Sequence, residues 1–350
     1  MLSRLCGLSL LVGYLGTVLT QTITYAAEQF GADKAQQGDT LAAVRVGVLF
    51  SVVLMALADR RGRQRLLVLC SVGGTLACAA TAAAPGLMWL GGAQTISRAF
   101  STALGLLIAV VAAEEMPAGG RAYAASVLAM TAALGAGAAA FFLPLADQAP
   151  SAWRILYLLP MLALPFFVAV GRALPESRRF TRPHGKATLE GHRGRLLMLC
   201  CTAFLGLMFF APNTQFQNDF LRDEHGFSAV QITLFTFSTN TPGGLGIIIG
   251  GKLADVRGRR VIGAIGTVLG SILLAASFSL GMPWLWITSM FGTMAAAMTV
   301  PALAVYGPEL FPTALRARAN GILSVAGVAG SAVGLAATGR FADHFGRMGP

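Results

Sequence analysis

The sequence predicts an all-α membrane protein made of two pseudo-symmetric six-helix bundles, the second lacking its twelfth helix. Three observations lead there. The chain is 55% hydrophobic and only 12% charged, with a mean hydropathy of +0.68, a composition that belongs in lipid. Its apolar residues fall into runs of about 20, the length that crosses a bilayer. Two motifs then recur at one offset. Leu57-Ala58-Asp59-Arg60-Arg61-Gly62-Arg63 returns as Leu253-Ala254-Asp255-Val256-Arg257-Gly258-Arg259, a shift of 196, and Glu114-x-x-Pro117-x-x-x-Arg121 returns as Glu309-x-x-Pro312-x-x-x-Arg316, a shift of 195. Two independent motifs at one spacing mark a duplicated half.

Taken in order, span 1 covers 5–27 and span 2 covers 40–58, with Asp39-Thr40 as its N-cap. Spans 3 and 4, at 66–84 and 87–113, are separated by Ala84-Pro85-Gly86. Span 5 covers 121–145, and span 6 covers 152–173, entered through Trp153-Arg154. The basic stretch 174–195 has no apolar periodicity and reads as a linker between an N-terminal bundle, 1–173, and a C-terminal one, 196–350. Spans 7 to 11 then follow at 196–217, 228–250, 261–281, 283–307 and 317–338. Gly339 to Pro350 is too short to cross, so the expectation is either a fragment or a chain that has lost its last helix.

The net charge of +11 would suggest nucleic acid in a soluble protein. Here the basic residues gather in short loops between apolar spans, so the positive-inside bias is the better account and no nucleic-acid partner is expected. Arg4 and the loops after spans 2, 4, 6, 8 and 10 hold most of the 26 Lys and Arg residues, against Lys34, Arg154, Arg222, Arg340 and Arg347 on the other side. That asymmetry predicts a multi-pass protein of the plasma (cytoplasmic) membrane with a cytoplasmic N-terminus. Cys6, Cys70, Cys78, Cys200 and Cys201 lie in apolar runs without metal-ligand spacing and read as small core residues. Span 1 can itself serve as the targeting signal.

These motifs resemble the major facilitator superfamily, and within it the sugar-porter and metabolite-symporter branch. Asp59-Arg60-x-Gly62-Arg63 and Gly251-x-x-x-Asp255-x-x-Gly258-Arg259-Arg260 look like that family's loop signature after spans 2 and 8. The two Glu/Arg motifs are similar to its signature after spans 4 and 10, and Pro175-Glu176-Ser177-Arg178-Arg179 to the one after span 6. There are three departures. Met55 stands where the loop signature has Gly, Gln94 occupies the usual place of the span 4 arginine with Arg98 one turn on, and span 5 has Leu134-Gly135-Ala136-Gly137 without the antiporter proline.

Gly62 and Gly258 can take positive φ, which lets each loop reverse in a few residues. The resemblance implies that Asp59 and Asp255 face helix N-termini, where a carboxylate is favoured. Arg60, Arg63, Arg259, Glu114, Arg121, Glu176, Glu309 and Arg316 would join them in a cytoplasmic gate. The positive-inside rule accounts for the arginines, but not for acidic residues recurring in both halves.

The resemblance also implies a central cavity lined by spans 1, 4, 7 and 10. Span 1 carries Tyr14, Thr17, Gln21, Tyr25 and Glu28 at helical spacing, span 4 carries Gln94, Arg98, Thr102 and Gly105, and span 7 ends in Asn213, Gln215, Gln217 and Asn218. Tyr14, Gln21, Tyr25, Gln94, Arg98, Asn213, Gln217 and Asn240 are therefore the candidate cavity residues. Span 10 offers Trp286, Met290, Met294 and Met298, a stripe that reads as packing. Span 8 is polar from Gln231 to Thr241 and then carries Pro242-Gly243-Gly244, which should bend it. Arg98 lies near mid-span with no acidic residue at that depth. A bound anion or water would supply its partner, or carbonyls and groups such as Gln21 and Gln94 would tie it structurally. Arg45, nearer the outer end of span 2, reads as a snorkelling structural residue.

The expected function is secondary active or facilitative transport of a small polar organic solute, a sugar or an organic acid, by alternating access. Glu28 or Asp219 is the candidate for a co-transported proton. With no nucleotide-binding loop, metal cluster or cofactor motif, neither ATP-driven transport nor enzymatic catalysis is expected, and the protein is expected to act as a monomer in the lipid bilayer. Two alternatives remain at this point: multidrug efflux, and a non-transporting sensor or inactive fragment on the same scaffold.

Overall fold

The computed structural model describes residues 2–115, 121–172, 192–299, 311 and 313–345, and every regular element among them is helical. The chain divides into two compact units, Met1–Arg182 and Pro183–Pro350.

The N-terminal unit opens with α1 (Leu2–Phe30), α2 (Lys34–Arg61), α3 (Arg63–Ala82), α4 (Leu87–Glu115) and α5 (Arg121–Phe141). A 3-10 turn over Leu143–Gln148 leads to α6 (Trp153–Leu162) and α7 (Leu164–Arg172). The C-terminal unit holds α8 (Arg193–Asp219), a π turn over Phe220–Glu224, α9 (Ala229–Arg257), α10 (Arg259–Ser277), α11 (Trp284–Ala297) and α12 (Thr313–Phe345). Nine stretches among the described residues are long and apolar enough to cross a membrane. Of the eleven expected spans, the missing two are α9, which is polar between Gln231 and Thr241, and α11, described over 14 residues only.

Several boundaries differ from the sequence reading for identifiable reasons. Asp33, not Asp39-Thr40, caps α2, because its Oδ1 accepts from the Gln36 amide at 2.7 Å. That adds a water-facing polar turn to the apolar span and leaves Asp39 inside the helix. Span 6 is two helices. Pro165 has no amide hydrogen and crowds the preceding turn, so the chain breaks at Ala163 and resumes with Pro165 in the first turn of α7. Span 5 ends early, at Phe141, and tightens into the 3-10 turn that carries Pro144. Through Pro242, by contrast, α9 runs on without interruption.

Helices meet in the same pairs in both units. Contacts of α1 with α5, α2 with α4 and α3 with α4 reappear as α8 with α12, α9 with α11 and α10 with α11. Small residues let the backbones touch, the usual basis of helix association in lipid. A Cβ added at Gly135 of α5 would lie 1.9 Å from the Leu10 carbonyl oxygen of α1, and one at Gly330 of α12 would lie 2.1 Å from the Phe204 oxygen of α8. Gly135 and Gly330 are themselves 195 apart. Gly74 against Phe100 and Ser101 similarly becomes Gly270 against Ala296. Gly246 and Gly250 of α9 abut the backbone of Met294 and Met298, so that part of the methionine stripe sits at a helix contact.

Polar ties hold α1, α3 and α6 of the first unit together. Thr22 donates to the Val18 carbonyl at 2.8 Å, which uses its single hydroxyl proton. The Tyr157 hydroxyl 2.6 Å away must therefore donate to it. Cys78 Sγ donates to the Tyr157 carbonyl at 3.6 Å. Trp153, fully buried, donates its Nε1–H to Gln29 at 2.7 Å and packs edge-on against Phe30 and Tyr157. Arg154 closes the end of α3, donating to the Ala82 and Ala84 carbonyls at 3.1 and 3.0 Å.

Gly135→Ala and Gly330→Ala should each destabilise by about 1–3 kcal/mol, because a methyl group would be forced into a facing carbonyl. Gly206→Ala, whose Cβ would meet nothing within 4 Å, should be neutral or slightly stabilising. Thermal unfolding of the purified chain in detergent checks both, and equal effects at all three sites would refute the close-packing account.

Candidate functional site

The two duplicated turns share one backbone conformation. Gly62, between α2 and α3, has φ 93° and ψ 146°, and Gly258, between α9 and α10, has φ 92° and ψ 136°. This combination lies in a region that only glycine enters freely. It turns the chain from one long helix directly into the next. Arg63 and Arg260 follow in the first turns of α3 and α10. Of the other expected gate residues, Asp59, Arg60, Glu114, Arg121, Asp255, Arg259 and Arg316 lie within helices, but their side chains are outside the described residues, as are Glu176 and Glu309 altogether.

Within the N-terminal unit the expected cavity residues do different things. Tyr14 is buried, and its hydroxyl donates to the Leu156 carbonyl of α6 at 2.7 Å. Gln94, also buried, donates through Nε2 to Thr81 Oγ1 of α3 at 2.8 Å. Gln21 and Tyr25 are buried along α1. Glu28 is exposed, whereas Asp219 of the other unit is fully buried. In the C-terminal unit Asn213 and Gln217 are half-buried one turn apart on α8, and Asn240 is exposed on α9.

Arg98 is the junction of three helices. Its Nη2 donates to the Gly16 carbonyl of α1 at 3.1 Å. Its stem passes Gly47 of α2, where an added Cβ would lie 3.2 Å from Arg98 Cβ and 2.3 Å from the Thr95 carbonyl oxygen. An added Cβ at Gly16 would lie 3.6 Å from Arg98 Nη1. Gly47 thus lets α2 approach α4 beside the Arg98 stem, while Gly16 stands at ordinary contact distance from the guanidinium. The carbonyl tie anticipated for Arg98 is present, made by Gly16 rather than by Gln21 or Gln94. Arg45 of α2 is half-buried.

Comparison with known proteins places this architecture. A family model described as "Sugar (and other) transporter" matches residues 4–184, and the "Major Facilitator Superfamily" model matches residues 198–348. The chain belongs to the major facilitator superfamily, in its sugar (and other) transporter family. The matching families are transporters, not enzymes. Among solved structures, a point mutant of the nucleoside transporter NupG superposes with a TM-score of 0.84 at 15% identity, over 98% of this chain and 92% of that one. A bacterial homologue of the human lysosomal transporter Spinster gives 0.81 at 17% identity, over 98% and 82%. A D-xylose-proton symporter gives 0.70 at 16% identity, over 97% and 88%. At these identities the likeness is one of fold. No curated protein matches the chain in sequence.

The shared dihedral angles make a symmetric expectation. An added Cβ at Gly258 would meet nothing within 4 Å, so Gly258→Ala should cost only the backbone strain, about 1–3 kcal/mol. Gly62→Ala should cost about the same, having the same φ and ψ. Thermal unfolding of both variants tests this; an unchanged Tm in either would show that its turn relaxes freely.

Proposed function

We propose that the protein moves a small polar organic solute, a sugar or an organic acid, across the plasma membrane by alternating access, as a monomer with a cytoplasmic N-terminus. The observation that carries this reading is the repeated internal packing, in which Gly135 on Leu10 and Gly74 on Phe100 and Ser101 have counterparts in Gly330 on Phe204 and Gly270 on Ala296. Two bundles built alike about a central site can rock against one another, which is how such a fold alternates between two facing states. A polar solute is favoured by the amides of Asn213 and Gln217, half-buried one turn apart near the C-terminal end of α8, where an apolar solute would need none.

In this reading Asp59, Arg60, Arg63, Glu114, Arg121 and Glu176, with Asp255, Arg259, Glu309 and Arg316, form the cytoplasmic gate. The glycine turns set the helix ends from which these side chains project. Asp219, fully buried at the end of α8, is a better candidate proton carrier than exposed Glu28, because burial makes a carboxyl group sensitive to its charge state.

Uptake of labelled D-xylose, a nucleoside and gluconate into proteoliposomes, with and without an imposed pH gradient, tests the reading. Transport of at least one class is expected, and stimulation by an inward proton gradient would assign coupling. If none of the three accumulates or equilibrates faster than in protein-free vesicles, the solute class is wrong. Asp59→Asn and Asp255→Asn should insert normally yet slow turnover about ten-fold, the loss of roughly one charge-assisted hydrogen bond. Wild-type rates in both variants at equal vesicle content would remove the gate.

A further inference from the structure

One contact of the duplicated fold is built from opposite kinds of residue in the two units. The turn motif that closes α2 and α9 relates these helices by a shift of 196, and the Glu/Arg motif relates α4 to α11 by 195. Packing obeys both shifts. An added Cβ at Gly47 would lie 3.2 Å from Arg98 Cβ, and one at Gly243 would lie 3.3 Å from Thr293 Cγ2. By the same shifts Asp39 and Gly91 correspond to Phe235 and Trp286. In the C-terminal unit those two rings fill the space between α9 and α11, edge to face with centroids 5.0 Å apart. Gly92 corresponds to Ile287, and Gln36 to the buried Ile232.

In the N-terminal unit the same space is a groove of about 530 Å³ between the opening turns of α2 and α4, lined by Asp39, Thr40, Ala43, Gly91, Gly92 and Thr95 among others. Its size falls in the range that holds a drug-sized organic molecule. Gly92 leaves room in it, since an added Cβ there would meet nothing within 4 Å. Asp39 is exposed and is the charged residue of the lining. Both threonines give their hydroxyl protons to their own helices, Thr40 to the Gln36 carbonyl at 2.8 Å and Thr95 to the Gly91 carbonyl at 2.7 Å. Each hydroxyl then presents only oxygen lone pairs. The groove is therefore apolar over its glycines and Ala43, and acceptor-rich and negative beside Asp39. None of the candidate cavity residues lines it.

We propose that this groove binds an organic ammonium ion with a ring-sized apolar body. The body takes the place that Phe235 and Trp286 fill in the other unit, against Gly91, Gly92 and Ala43, and the ammonium group donates to the Asp39 carboxylate. The repeat argues for such a body rather than a lipid chain, because the space that opens at Asp39 and Gly91 is that of side-chain rings and not of a long tail. A cation is selected because Asp39 stands where the other unit has an apolar ring, so the exchange that empties the groove also charges it. Asp39 to Ala43 is four residues, about 6 Å along the axis, the reach of a short alkyl arm between an ammonium group and a ring. A charge-assisted hydrogen bond to the carboxylate fixes the head, and removal of the ring from water supplies the rest. The site is independent of the transport reading above.

The test is ligand-dependent thermal stability of the purified full chain in non-ionic detergent, at constant ionic strength. Tryptamine is the probe, with indole-3-propionate as the same ring on an anion and ethanolamine as an ammonium ion without the ring. Tryptamine should raise Tm saturably, and the other two should not. Asp39→Asn should weaken tryptamine at least about ten-fold, the scale of one charge-assisted hydrogen bond, while Asp39→Glu should keep most of the response. Gly92→Ile, which installs the residue of the other unit at a position with room for it, should remove the response and leave the unliganded Tm unchanged or raised. Asp223→Asn, which removes an exposed acid of the C-terminal unit, should change nothing. If Gly92→Ile does not fold, the two variants of exposed Asp39 decide. Overturning results are a tryptamine response absent from the wild-type protein, equalled by indole-3-propionate or ethanolamine, or undiminished in Asp39→Asn. A response to phosphatidylethanolamine that tryptamine does not share would overturn it too, assigning the groove to a lipid. Because no transport is measured, failure of the solute assignment and failure of this site are read separately.

Discussion

Inside a bilayer no water is available to satisfy a backbone amide or carbonyl, and apolar side chains gain nothing by leaving lipid for one another. Backbone groups must be paired within helices, and helices must associate by close contact and a few polar ties. Both consequences are visible throughout this chain. Even Pro242 and Pro212 are carried inside continuous helices. Where two prolines crowd one span, at Pro160 and Pro165, the helix breaks and restarts at once. The glycines that matter most are those whose missing Cβ lets one helix rest on the carbonyl oxygens of another, as at Gly13, Gly135, Gly330 and Gly334.

The same constraint explains why the duplication survives in structural detail. A close contact is set by the absence of a side chain at one position and by the path of the facing backbone, and neither needs a particular residue identity on the partner helix. Leu10 and Phe204 differ, yet each presents its carbonyl oxygen to a glycine. The turns behave in the same way. Gly62 and Gly258 hold one pair of dihedral angles, while the residue three before each is an aspartate set in the last turn of a helix.

Polar groups within the first unit divide by what they touch. Tyr14, Gln94, Trp153 and Tyr157 spend donors on neighbouring helices and stiffen the bundle. Arg98 spends one donor in this way, on the Gly16 carbonyl. A guanidinium has five N–H donors, so a single carbonyl leaves most of its hydrogen-bonding capacity available. This difference in valence, more than depth in the membrane, separates a structural tie from a group able to meet a solute.

The membrane class, the two halves, the order of the helices and the glycine turns were all legible in the residues, because each depends on local pattern: apolar run length, a repeated motif, or a conformation that one residue type favours. Arg98 was also legible, as a charge in an apolar run. Helix ends were less so. Asp33 and Asp39 are equally good caps on paper, and only the path of the chain decides which one meets a free amide. The partners of the polar stripes depended wholly on tertiary structure. Tyr14, Gln94 and Arg98 carry similar signals in their own helices, yet they reach Leu156, Thr81 and Gly16, between 13 and 142 residues away. The place of the Arg98 stem beside α2 likewise arises from the packing of α2 on α4 through Gly47 and Gly91. Sequence spacing within one helix sets which residues share a face, but the helix that covers that face is chosen by packing across the whole unit.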